Sequence, residues 1–190
     1  FQLWYASPLP FFFGFGIFID LPARAIHLGF ALFLVFLTYP LLKKNRNKNF
    51  NILSFLLAFF GLVSTFYIFF DYQGLVGRNG ILLTHEIYFF DFKFVFPVEL
   101  IVGLFGICLL LEATRRSIGL PLVIVAIIFY LYSFFGQSMP EIISHQGLSF
   151  NRLVGYHWFS GEAIFGIPIS VSVSFVFLFV LFGSMLDYAG

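Results

Sequence analysis

The sequence predicts an all-α integral membrane protein, a bundle of about five transmembrane helices truncated at both ends. Composition is the first reason. Of 190 residues, 61% are hydrophobic and 10% charged, with a mean hydropathy of +1.00, whereas soluble domains carry about 25% charged residues. The second reason is arrangement, because apolar runs near the ~20 residues of a bilayer crossing recur five times. The third is that Lys and Arg gather in short connections between those runs.

The five runs are 25–42, 50–70, 94–111, 118–135 and 163–186. None alternates between apolar and polar faces, as expected where both lipid and neighbouring helices are apolar. In the last run Pro168 lacks a backbone donor, so the regular helix is expected to begin near it, with the proline in the first turn. Phe1 stands where a complete chain has Met, no basic segment precedes it, and apolar sequence reaches almost to Gly190. A signal peptide is therefore not expected. A fragment of a longer membrane protein is, with 1–18 as the end of a lost helix and an aromatic, proline-broken loop.

Orientation follows from the connections. Lys43, Lys44, Arg46 and Lys48 form a basic loop after the first run, and Arg115 and Arg116 lie between the third and fourth. The longer connections, 71–93 and 136–162, are poorer in Lys and Arg. Cytoplasmic loops carry the basic excess, so the Lys43–Lys48 and Arg115–Arg116 connections are placed in the cytoplasm and the two longer ones outside. Tyr67, Tyr72, Tyr88, Tyr130, Tyr132, Tyr156 and Trp158 lie near run ends, at the level that amphipathic rings prefer.

Glu112 stands three residues before Arg115 and four before Arg116, so one carboxylate reaches both guanidiniums on a single helical face. An ionisable cluster at membrane depth invites a gating or ion-relay role. Its place at the end of a run favours a topological anchor with a structural ion pair. Glu99, just after Pro97, admits a coupling-ion or proton site, but a helix-start carboxylate favoured by the helix dipole is preferred.

His85 adjoins Glu86, His145, His157 and Glu162 share one connection, and His27 follows Arg24. No two histidines have the spacing that puts both imidazoles on one helical face, so no metal site is expected. Catalysis is not expected either, because a nucleophile elbow with its flanking glycines is missing. Cys108, the only cysteine, excludes a disulfide framework or thiol metal centre and is read as a packing residue. The net charge of +1 leaves no basic footprint for nucleic acid. The segment 161–168, GEAIFGIP, has two readings of equal standing. It is either a helix broken within protein, as transporters use around central sites, or an ordinary entry to the last helix.

Five segments in order are FQLWYA (1–6), RAIHLGFALFLVFLTYP (24–40), LLLEATRRSIGLPL (109–122), LYSFFGQSMP (131–140) and GEAIFGIPISVSVSFVFLFVLFGSMLDYAG (161–190). Together they resemble the fused permeases of tripartite ATP-independent periplasmic (TRAP) transporters, in the TAXI-associated class with small and large membrane subunits in one chain. Each motif alone is weak; the order and spacing carry the resemblance, which covers nearly the whole chain.

The resemblance implies a secondary transporter of the bacterial or archaeal cytoplasmic membrane. It would import small organic anions such as carboxylates, delivered by a periplasmic solute-binding protein and driven by a sodium or proton gradient, with no other cofactor. Residues 1–160 would be the small-subunit-like scaffold and 161–190 the start of the large-subunit-like transport region. Gly166 and Pro168 match the entry into that region and are read as structural, alongside Glu112, Arg115 and Arg116. Substrate-binding residues are expected beyond Gly190, in the remainder of the permease chain, so 1–190 alone is not expected to transport. A non-transporting scaffold or an inactive piece of such a permease is the alternative.

Overall fold

The computed structural model describes residues 1–39, 52–78, 82, 85–89 and 92–190, whose regular elements are helices and one pair of strands. Two short helices, α1 (Gln2–Ala6) and α2 (Leu9–Phe13), fold the aromatic N-terminal segment. They precede α3 (Asp20–Thr38), α4 (Ile52–Phe70) and the short α5 (Tyr72–Gly77). Strands β1 (His85–Phe89) and β2 (Phe92–Phe96) pair antiparallel, His85 opposite Phe96 and Phe89 opposite Phe92. Next come α6 (Val98–Ser117), α7 (Leu120–Phe135), a 3-10 turn at Gly136–Ser138 and α8 (Phe150–Phe159). The last helix runs from α9 (Ile167–Val171) through a π-helical turn (Ser172–Val176) into α10 (Phe177–Ala189).

Among the described residues, four helices are long and apolar enough to cross a membrane: Asp20–Thr38, Ile52–Phe70, Leu120–Ser138 and Ile167–Ala189. The expected third crossing corresponds to α6, whose 20 residues include Glu99, Glu112, Arg115 and Arg116. Those charges keep it out of the four.

Boundaries shift for local reasons. Helix α3 begins at Asp20 rather than Ala25, because Asp20 gives the first turn a carboxylate and Pro22 still falls where no backbone donor is needed. Helix α6 begins at Val98 rather than Phe94, because 92–96 pairs as a strand and Pro97 caps the helix. It then continues to Ser117, so Glu112, Arg115 and Arg116 belong to its last turns and not to a loop. The link to α7 is only Ile118 and Gly119, and Gly119 adopts φ 123°, a backbone open to glycine but strained for other residues. Helix α8 was not expected; its residues fall in the connection read as a loop. The basic loop Lys43–Lys48 lies outside the described residues.

The core is assembled from the faces that α3, α4 and α6 turn to one another and to α8. Ala25, Leu28, Leu32 and Phe36 recur at helical spacing along α3 and pack with Ala58 and Ile68 of α4. Gly29 sits against Thr65, while Gly61 sits against Leu32 and Phe36, so α3 and α4 run antiparallel. Helix α6 runs antiparallel to α4 in turn, with Glu99 beside Tyr67 and Phe105 edge-on to Phe60 at 5.7 Å. Val154, Trp158 and Phe159 of α8 then close over Gly103 and Gly106 of α6.

Two sequence readings are corrected by this packing. Trp158, next to the last residue of α8, does not face headgroups; it is fully buried, and its indole N–H donates to the Ser64 carbonyl at 3.3 Å. Cys108 faces outward from α6 instead of filling the core, because Ile107 and Leu109 take the inward positions.

Candidate functional site

Polar chemistry concentrates at three places: the two ends of α6 and the joint between α3 and the last helix. At the N-terminal end of α6, Glu99 occupies the first turn, as expected, yet it is completely buried. Arg78, just past α5, donates to both Glu99 and Asp71, and the Tyr67 hydroxyl donates to Glu99 at 3.2 Å. The cluster ties the end of α4, the segment after α5 and the start of α6 together. Burial works against the charge on Arg78. The hydrogen bond to Asp71 and the nearby Glu99 and Asp71 carboxylates outweigh it, and the guanidinium pKa is raised. A carboxylate with no exposure is sustained only by such partners, so the dipole reading of Glu99 is incomplete.

At the other end of α6, Arg115 forms two hydrogen bonds with Glu112, both 2.7 Å, while Arg116 Nε donates to the same carboxylate at 2.8 Å. The i,i+3 and i,i+4 pairing expected from spacing is therefore present on both arms. The two arginines differ in setting. Arg115 is exposed, whereas Arg116 is 4% exposed, lies 4.9 Å from the Phe36 ring centre and donates to the Tyr39 carbonyl at 3.2 Å. Arg116 thus joins the C-terminal ends of α3 and α6.

Hydrogen bonds from Arg115 and Arg116 thus hold the partly buried Glu112 carboxylate between two guanidiniums. In detergent at neutral pH, Glu112→Gln should unfold at a lower temperature than the unaltered chain; an unchanged unfolding temperature would contradict the pairing.

At the third place, Arg24 of α3 donates to the Phe165 carbonyl at 2.8 Å and the Gly161 carbonyl at 3.4 Å. It satisfies a turn, 161–166, that has no helical partners of its own. His27 bridges the Gln2 side chain and the Ser172 hydroxyl, the latter at 3.1 Å, so α1, α3 and the π-helical turn meet on one imidazole. Gly166 caps the last helix with an extended backbone, and Pro168 is the second helical residue. This is the ordinary-entry geometry; the break before it is nonetheless packed against protein, with Phe165 fully buried on Trp158. A Cβ on Gly166 would stand 2.6 Å from the Glu162 carbonyl oxygen. Gly166→Ala is therefore expected to cost about 1–3 kcal/mol, read as a lower unfolding temperature, while Gly183→Ala, where a Cβ meets only open space, should be silent.

The remaining histidines serve local structure. His145 accepts from the Gly147 N–H at Nδ1 and meets the Tyr132 carbonyl at 3.0 Å through Nε2, folding 136–149 back on α7. His157 Nδ1 meets the Leu153 carbonyl at 2.9 Å. The side chains of His85 and Glu86 lie outside what is described. Among the described residues, no group of three or more His, Cys, Asp or Glu side chains is placed to hold a metal ion.

Sequence reasoning found the Glu112 pairings from their spacing alone. It missed Arg78, 21 residues from Glu99, and Arg24, 141 residues from Phe165. Only Asp20, four residues before Arg24, hinted that this arginine had structural work. Comparison of the chain with protein-family models, with curated proteins and with solved structures finds no match.

Proposed function

We propose that the chain is a multi-pass membrane protein and the membrane part of a TRAP-type importer of small organic anions, fed by a periplasmic solute-binding protein and driven by an ion gradient. The observation that carries this reading is the ordered run of five segments from FQLWYA to GEAIFGIPISVSVSFVFLFVLFGSMLDYAG. Membrane placement is supported by the four apolar helices and by the breadth of exposed apolar surface. Phe59, Ile128, Phe129, Phe179 and Val180 all point outward, and water-soluble proteins rarely leave so much contiguous apolar area uncovered.

In this reading α6 crosses as well, antiparallel to α4, and makes the fifth crossing. The Arg115–Arg116 end faces the cytoplasm with the basic loop, and 136–149 faces outward. Residues 1–160 act as scaffold. The bonds from Arg24 to Phe165 and from His27 to Ser172 fasten the start of the transport region to that scaffold. A non-transporting scaffold is the second reading, favoured by the ion pairs of α6, which join helices to one another.

Gene deletion tests the proposal. Gradient-driven uptake of radiolabelled carboxylates in the source cells should fall to background and return with the intact gene and its neighbouring binding-protein gene. Undiminished uptake across a panel of mono- and dicarboxylates would overturn it.

A further inference from the structure

A pocket of about 450 Å³ opens between the N-terminal aromatic segment and the last helix, within the range of small-ligand sites. Its lining residues include Tyr5, Phe11, Phe18 and Phe175 together with Asp20, the single charged residue among those that line it. The Asp20 carboxylate is hydrogen-bonded to the Tyr5 side chain and pairs with Arg24 at 3.5 Å, yet its side chain stays 77% exposed and so open to a further partner. Arg24 spends its stronger bond on the Phe165 carbonyl at 2.8 Å. Ser174, also in the wall, donates its hydroxyl to the Ser170 carbonyl at 2.9 Å, so that donor is already used. Phe175 itself lies within the π-helical turn, and such turns are frequent at binding sites.

Aromatic faces attract cations through the ring quadrupole, and a carboxylate at the rim adds a full opposite charge. An anion would meet Asp20 and electron-rich rings; a neutral ligand would leave the carboxylate unused. We propose that this pocket binds an ammonium group, quaternary or primary, borne by a soluble amine or by a phospholipid headgroup. The site is independent of the transport reading and would stand if that reading failed.

Titration of the purified chain with tetramethylammonium chloride, in a sugar detergent free of ammonium groups, tests it. Saturable binding is expected, with tert-butanol as the neutral isostere failing to compete. Asp20→Asn should weaken binding about tenfold. Phe175→Leu, at a side chain 62% exposed and so safe for folding, should weaken it as well. Repeating the titration in phosphatidylcholine and phosphatidylglycerol nanodiscs separates the two sources. Loss of tetramethylammonium binding only in phosphatidylcholine identifies the headgroup as occupant, and equal binding in both identifies a soluble amine. Absence of saturable binding in detergent, equal binding of tert-butanol, or unchanged affinity in both variants would overturn the proposal.

Discussion

Replacing Gly106 with leucine should lower stability by about 3 kcal/mol or more and detach α8 from α6. A Cβ at this position would run into the Trp158 indole, at the ring and not at a movable tip. Trp158 cannot yield easily. It is fully buried, its ring meets Phe165 edge-on at 5.5 Å, and its N–H is engaged with the Ser64 carbonyl. Interiors are packed too densely to absorb an isobutyl group here. In a Trp4→Phe background only Trp158 reports, so its emission should shift to the red together with a lower unfolding temperature. Gly183→Leu, facing open space, is the matched control and should change neither. A Gly106→Leu protein with unshifted emission would mean that α8 does not dock on this face.

Arg78→Ala should be the second most damaging change, at about 3 kcal/mol. It withdraws the guanidinium from a carboxylate that has no exposure, and it frees Asp71 as well. The physics of buried pairs makes an asymmetric forecast. Breaking the pair from one side is costly, whereas replacing both members with apolar groups of similar size is far milder. Arg78→Met combined with Glu99→Leu should therefore unfold at a higher temperature than Arg78→Ala alone. Additive losses in that comparison would show that Arg78 and Glu99 are not energetically coupled.

The fold was legible in the sequence where a single physical cause acts locally. Length and hydropathy marked the long helices, Pro168 marked the start of the last one, and the Glu112–Arg115–Arg116 spacing gave its own hydrogen bonds. It was illegible where the cause is tertiary. Helix α8 reads as a polar loop because its ten residues include Asn151, Arg152 and His157; it becomes a helix against the glycine-lined face of α6. The strands at 85–89 and 92–96 were overlooked because their aromatic residues blend into the apolar run that follows. Helix α6 was bounded by hydropathy at Leu111, although the backbone carries its hydrogen-bonded spiral on to Ser117. The charges read as a boundary are thus also the clamp between α6 and α3. Long-range partners such as Arg78 with Glu99 leave no trace in local spacing.

The proposed transport reading rests on a topology in which α6 and α7 cross the membrane in opposite senses. Single cysteines at Ile118 and Ile142, both strongly exposed and at opposite ends of α7, report it directly once Cys108 is replaced by serine. Intact bacterial cells expressing the chain are treated with a membrane-impermeant maleimide before and after permeabilisation. Ile142→Cys is expected to react in intact cells, and Ile118→Cys only after permeabilisation. Labelling of both from the same side, or of Ile118→Cys alone from outside, would contradict the account.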